Sequence, residues 1–165
     1  MKQAFGRMGL AVLLLAVWLL LTLPFALPEL MVGALVALLV AFLPLPDGEL
    51  FAELPVLPKR ILFAVIYLGV FLVAVIKSNM DVALRVLNPR LPINPGIVRV
   101  KTRLKSRLGR LILANSITLT PGTITVDIDG EDLFIHWLSV TSPDLEANTR
   151  QIVGGFEKYL EVIFG

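Results

Sequence analysis

The chain has 165 residues, 56% of them hydrophobic, a mean hydropathy of +0.83 and a formal net charge of +2. That apolar content exceeds the norm for a water-soluble domain, and the length leaves room for two or three membrane spans plus one compact domain of roughly 70 residues. There is no Cys and His136 is the single His, which excludes a disulfide framework, a thiolate metal site and a His-cluster metal site within one chain.

The charge is segregated. Residues 8–76 are largely apolar, residues 77–110 carry nine Lys/Arg against Asp81, and residues 111–165 carry Arg150 and Lys158 against eight acids. Residues 1–87 are therefore read as a membrane region of two to three helical spans, and residues 88–165 as a small cytoplasmic α/β domain.

Residues 8–23 and 28–43 are two apolar runs joined through Pro24 and Pro28, which break a helix between them. Each run gives about 24 Å of helix, slightly short for a hydrocarbon core of about 30 Å. A tight helical hairpin is expected, with a re-entrant pair as the alternative. Gly33 and Ala37 form a small-xxx-small pair that permits close helix packing. Glu29 follows Pro28 and suits a helix N-terminal charge better than a proton relay. A cleaved leader is disfavoured, because no small-x-small site follows Leu21. Residues 44–60 hold four prolines and read as a loop, acidic at Asp47, Glu49 and Glu53, then basic at Lys59 and Arg60.

Residues 61–76 are a third apolar run without charge, and its helix is expected to continue to Leu87, before Asn88-Pro89. Lys77, Asp81 and Arg85 have the i,i+4 spacing of an ion-paired exposed face. The dense Lys/Arg that follows places the C-terminal domain in the cytoplasm. Three full spans would then leave Lys2 and Arg7 outside, against the same rule, whereas an even number of crossings removes the conflict.

The C-terminal part reads β-α-β-β-α. Ile97–Lys105 alternates, with Val98, Val100, Thr102 and Leu104 on one face and Arg99, Lys101, Arg103 and Lys105 on the other. Leu108, Leu111 and Ile112 fall at helical spacing, and Thr120-Pro121-Gly122 signals a turn. Ile124, Val126 and Ile128 alternate with Thr125, Asp127 and Asp129 as a second strand. A hairpin turn starts at Asp129-Gly130, and a third strand runs Leu133–Leu138. Ser142-Pro143-Asp144 resembles an N-cap with Pro at the first helical position. Leu145, Ile152, Phe156, Leu160 and Ile163 mark the stripe of a final helix. A helix between the first two strands implies a parallel crossover, and the basic face could pair with Asp127 and Asp129 or meet lipid headgroups.

Little of this carries chemistry. No carboxylate or Lys sits near the middle of any span, which argues against a transporter acting alone. Lys77 ends the third run as a snorkelling residue. The basic stretch lacks aromatics between Phe71 and Phe134, so juxtamembrane lipid contact fits better than nucleic acid. The acidic turn around Gly130 lacks the closing Glu of an EF-hand. His136 beside Trp137 has no triad partners, and no phosphate-binding glycine loop is present. No enzyme activity, catalytic residue, metal or cofactor is expected.

Asn94–Val100, and more specifically Leu113–Thr123 (LANSITLTPGT) followed by His136-Trp137, resemble the E-type subunits of the Mrp-type multisubunit sodium/proton antiporters. The resemblance covers nearly the whole chain. It implies an accessory subunit of a bacterial or archaeal cytoplasmic-membrane complex that exchanges Na⁺ for H⁺. The ion path would belong to large antiporter-like subunits, and this subunit would support their assembly and activity. Its partners would be those subunits, other small membrane subunits and the bilayer.

Within the motif, which ends at Thr123, Asn115, Ser116, Thr118 and Thr120 offer short polar groups to nearby backbone, Pro121 fixes φ, and Gly122 permits positive φ. This segment is the candidate subunit-docking loop. Arg99, Lys101, Arg103 and Lys105 are the candidate lipid or partner face. The competing reading is a freestanding membrane-anchored module that binds acidic lipid or a soluble partner through that strand.

Overall fold

The computed structural model describes residues 2–24, 26–43 and 57–165, with side chains from residue 7 onward. The expected acidic loop with Asp47, Glu49 and Glu53, and Phe25 of the first linker, lie outside the described residues. The chain divides into two compact units, Met1–Leu57 and Pro58–Gly165.

The first unit is a hairpin of α1 (Lys2–Leu21) and α2 (Leu27–Phe42). Helix α1 begins before the apolar run does, because Lys, Gln and Ala are good helix formers and hydropathy marks only where the helix is apolar. Gly33, Ala37 and Ala41 are the buried residues of α2, on one face by their i,i+4 spacing. A Cβ at Gly33 would overlap the Trp18 indole, so the small residue sets how closely α1 approaches. Trp18 Nε1 donates to the Glu29 carbonyl at 3.1 Å. The Glu29 carboxylate accepts from the Ala26 backbone N–H at 2.6 Å, which makes Glu29 a helix-capping charge.

The second unit opens with α3 (Pro58–Leu87), a helix of 30 residues. It continues through β1 (Gly96–Lys101), α4 (Arg107–Leu119), β2 (Thr123–Asp129), β3 (Asp132–Trp137), α5 (Leu145–Ile152) and α6 (Gly154–Phe164). Hydropathy divides the chain at residues 87 and 88; packing divides it at Leu57, because one side of α3 belongs to the same core as the sheet. Phe63, Ala64, Tyr67, Phe71 and Ala74 of α3 pack against the buried cluster that holds Val98, Val100, Leu133 and Ile135 of the sheet together with Phe156 and Leu160 of α6, and Tyr67 and Phe71 meet the Phe156 ring.

The sheet order is β1-β3-β2, with both pairings antiparallel. Strands β1 and β2 are thus parallel to each other, as the intervening helix implies, but β3 lies between them. The expected pairing of β1 with Asp127 and Asp129 is therefore replaced: Arg99 reaches Asp132 of β3 at 3.5 Å. Strand β1 ends at Lys101, not Lys105. There the Thr102 N–H turns to the Glu131 carbonyl at 2.8 Å, and the Thr102 hydroxyl donates to Glu157 at 2.6 Å. Alternation of burial nevertheless persists through Leu104.

Two other expectations change. The single final helix is broken at Val153 into α5 and α6, where Gly154-Gly155 lowers helix propensity. Its cap is Asp144, whose carboxylate accepts from the Ala147 N–H at 2.8 Å, while Ser142 accepts from Asp144 one step earlier. On β2 the apolar set faces outward: Ile124 and Val126 are 54% and 57% exposed, and Thr125 instead bonds α4. A bulge between Thr125 and Asp127 re-aims the strand. Gly130, at φ +59°, closes the expected hairpin.

Candidate functional site

The Asn115–Thr123 segment is not one loop. Asn115–Leu119 form the last turns of α4, and the turn proper is Thr120–Gly122. Its polar groups point largely inward. The Ser116 hydroxyl donates to the Ile112 carbonyl and also meets the Tyr67 hydroxyl of α3. Thr118 accepts from the Thr125 N–H at 3.0 Å. Thr120 donates to the Ser116 carbonyl at 2.7 Å, and Thr123 to those of Ile117 and Thr120 at 2.7 and 2.9 Å. Gly122 sits at φ +93°, where a side chain would be strained. The segment therefore fastens α4 to α3 and β2 through bonds that satisfy carbonyls otherwise orphaned at a helix C-terminus. Asn115, Thr118 and Leu119 are exposed.

The same turn forms one wall of a cleft of about 440 Å³. Lys77, Asp81 and Arg85 of α3 form the facing wall, and Trp137 and Ser139 close it. Arg85 is held by Asp81 at 2.7 Å, by the Pro92 carbonyl at 2.7 Å and by Ser139 at 3.2 Å. The expected i,i+4 pair is thus Asp81–Arg85, and it also stitches the end of α3 to the strand β3 exit.

On the basic strand, Arg99, Lys101, Arg103 and Lys105 all project outward as expected, but they are not equivalent. Arg103 is drawn onto α6, 3.4 Å from Glu157 and 3.2 Å from Glu161, and Arg99 pairs with Asp132. Lys101 and Lys105 make no ion pair among the described residues.

Sequence reading missed Glu157. It is 4% exposed, and its carboxylate accepts from the Thr102 hydroxyl at 2.6 Å and the Arg103 N–H at 2.7 Å. A buried carboxylate so bonded clamps the end of β1 to α6. Its position between Phe156 and Leu160 in the apolar stripe was the available signal. His136 is half-buried between Ile97 and Ile124 in the register of the open sheet face. Among the described residues no cluster of three or more His, Asp or Glu could hold a metal.

An apolar helical hairpin, and an α/β unit that carries a helix long and apolar enough to cross a membrane, suit a membrane-associated protein. A profile of the family described as Na⁺/H⁺ ion antiporter subunit matches residues 11–163, and the chain belongs to that family. It is 35% identical over 100 residues to the E-type Na⁺/H⁺ antiporter subunit of Alkalihalophilus pseudofirmus, covering 61% of this chain and 63% of that protein's length. It is 30% identical over 152 residues to the E1-type Na⁺/H⁺ antiporter subunit of Staphylococcus epidermidis, covering 89% and 90%. The kinship with the E-type subunits read from Leu113–Thr123 is thereby borne out. A chain in the structure of the membrane-bound sulfane sulfur reductase, an archaeal respiratory membrane complex, superposes with a TM-score of 0.84 at 44% identity, covering 96% of this chain and 99% of that one.

Proposed function

We propose that this chain is an accessory subunit of a multisubunit Na⁺/H⁺ antiporter in the cytoplasmic membrane of a bacterium or archaeon. It supports assembly and activity of large subunits that carry the ions. The observation that carries this reading is the family match across residues 11–163. The helices agree with it: runs 8–23 and 61–76 contain no Asp, Glu, Lys or Arg, and run 28–43 has only Glu29, committed to capping. A coupled ion path needs ionisable groups at depth, so partners must supply them.

The α/β domain belongs on the cytoplasmic side, on the strength of the nine Lys/Arg in residues 77–110. Docking to partner subunits is assigned to Asn115–Thr123, where internal bonding of Ser116, Thr118, Thr120 and Thr123 gives a stiff surface around Asn115, Pro121 and Gly122. Contact with anionic lipid or partner carboxylates is assigned to the basic face of Arg99, Lys101, Arg103 and Lys105, on β1 and the segment after it, led by Lys101 and Lys105.

The 44% identity to a chain of a respiratory membrane complex favours a second reading, in which the same kind of subunit serves a redox-driven assembly. Mild-detergent purification of the tagged full chain from its host decides between them. Fixed-ratio recovery with large polytopic subunits, and Na⁺-dependent proton exchange in vesicles, supports the antiporter. Recovery with iron–sulfur or other redox subunits supports the second reading. Recovery alone refutes both and returns the freestanding module.

A further inference from the structure

Helix α3 has the length and hydropathy of a membrane span, but its packing is incompatible with a crossing. The C-terminal domain lies along most of it. Arg60 near its start donates to the Gly165 carbonyl at 3.4 Å. Tyr67 and Phe71 in its middle meet the Phe156 ring at 6.1 and 6.5 Å between centroids. Arg85 near its end bonds Ser139. Helix α6 therefore runs antiparallel beside residues 60–71 and brings Glu157, Lys158 and Glu161 to their level, with Arg103 on the two glutamates. If residues 61–76 crossed the bilayer, this cluster would sit at hydrocarbon depth, where charged groups are rare and costly.

The apolar run of this helix presents two faces with different surroundings. One stripe, through Phe63, Tyr67, Phe71 and Ala74, joins the domain core. The opposite face, through Leu62, Val65, Leu72, Ile76, Met80 and Leu87, is 51–79% exposed along the whole helix, well past the end of the apolar run at residue 76. By helical periodicity Lys59 and Lys77 fall on one border of that face, and no charged residue falls on its centre. Asn79, on its flank, turns its amide onto the Val75 carbonyl at 2.8 Å. An apolar face bordered by snorkelling Lys and a polar domain above it is the pattern of a helix lying in the membrane surface.

We infer that α3 lies in the plane of the membrane surface, its outer face sunk to the boundary of headgroups and acyl chains, with Lys59 and Lys77 on the phosphates of anionic lipid. The inference rests on the membrane-subunit reading and not on which complex the chain serves. It leaves α1 and α2 as the candidate crossings. That even number removes the conflict between Lys2, Arg7 and the basic residues 77–110 under the charge rule.

The Cys-free chain allows a direct test. Single Cys at successive positions 61–87 of the full chain, within its purified complex, carry a nitroxide in vesicles of about three zwitterionic lipids to one anionic. Oxygen and nickel-chelate accessibility then report depth. The expected result is a 3.6-residue oscillation along the whole helix, with Leu62, Leu72 and Leu87 at one shallow depth. A single rise to the bilayer midplane near Leu68 and a fall beyond it would overturn the inference. Low accessibility to both reagents along the outer face would overturn it too, because a protein partner would then cover that face. Loss of the chain from the membrane fraction would overturn the membrane-subunit reading with it.

Discussion

Replacing Glu157 by Leu tests whether the buried carboxylate is the clamp that holds the basic strand. The substitution keeps roughly the same volume in the apolar stripe of α6 but removes the acceptor for the Thr102 hydroxyl and the Arg103 N–H. Thr102 is 1% exposed, so its hydroxyl finds no water in place of the lost bond. Orphaning a buried donor costs about 1–3 kcal/mol. The two together give a loss of about 3 kcal/mol after allowing for Leu packing. The ion pair with Arg103 adds little, since that guanidinium is 76% exposed and screened by solvent. For a unit of this size, about 3 kcal/mol lowers the midpoint of thermal unfolding by roughly 10–15 °C. Glu157→Gln retains an accepting Oε1 and should lose about a third as much. Thermal unfolding of the purified full chain, followed by circular dichroism, measures both. A Leu variant melting within about 2 °C of the parent, or a Gln variant as unstable as Leu, would show that the carboxylate is not the clamp.

Gly33→Leu should splay the hairpin, because its side chain must displace the Trp18 indole. Overpacking of this kind costs about 1–3 kcal/mol. Disulfide cross-linking between Leu10→Cys and Ala41→Cys, which lie in one apolar cluster, should fall in that background. Thr120→Ala loses the bond to the Ser116 carbonyl, at about 1 kcal/mol, and Pro121→Gly loosens the turn. Both should lower recovery of the chain with its partner subunits, and normal assembly with parental exchange rates would remove the docking assignment. Lys101→Glu with Lys105→Glu should leave stability within about 0.5 kcal/mol, since both side chains are exposed. Retention on anionic vesicles or in the complex should drop, and unchanged retention would refute a binding role for that strand.

Much of this architecture is legible in local sequence. Period-two alternation marks β1 through Val98 and Val100, Asp129-Gly130 marks the hairpin because a turn needs a residue that accepts positive φ, and Gly33 with Ala37 marks a close helix contact. These signals are local because backbone sterics act over a few residues. The family was legible too, in Leu113–Thr123, whose short polar side chains serve bonds made almost wholly within the fold.

Tertiary structure decided what local pattern leaves open. Hydropathy reports that a helix avoids water, without saying what surrounds it. Residues 61–76 read as a span on that ground alone, yet one side of α3 joins the domain core, with Tyr67 and Phe71 against Phe156. Strand order behaves the same way: β-α-β-β is compatible with β1 beside β2 or beside β3, and the partner of Arg99 follows only once β3 lies between them. Glu157 shows the same limit from the polar side. A carboxylate in an apolar stripe looks like an interruption until Thr102 and Arg103, more than fifty residues earlier in the chain, supply the bonds that offset the cost of its burial. Composition and periodicity thus determined which segments fold and which avoid water, because those depend on each residue's own chemistry. Which surface meets which depends on long-range packing and hydrogen-bond satisfaction, and only the folded chain decides it.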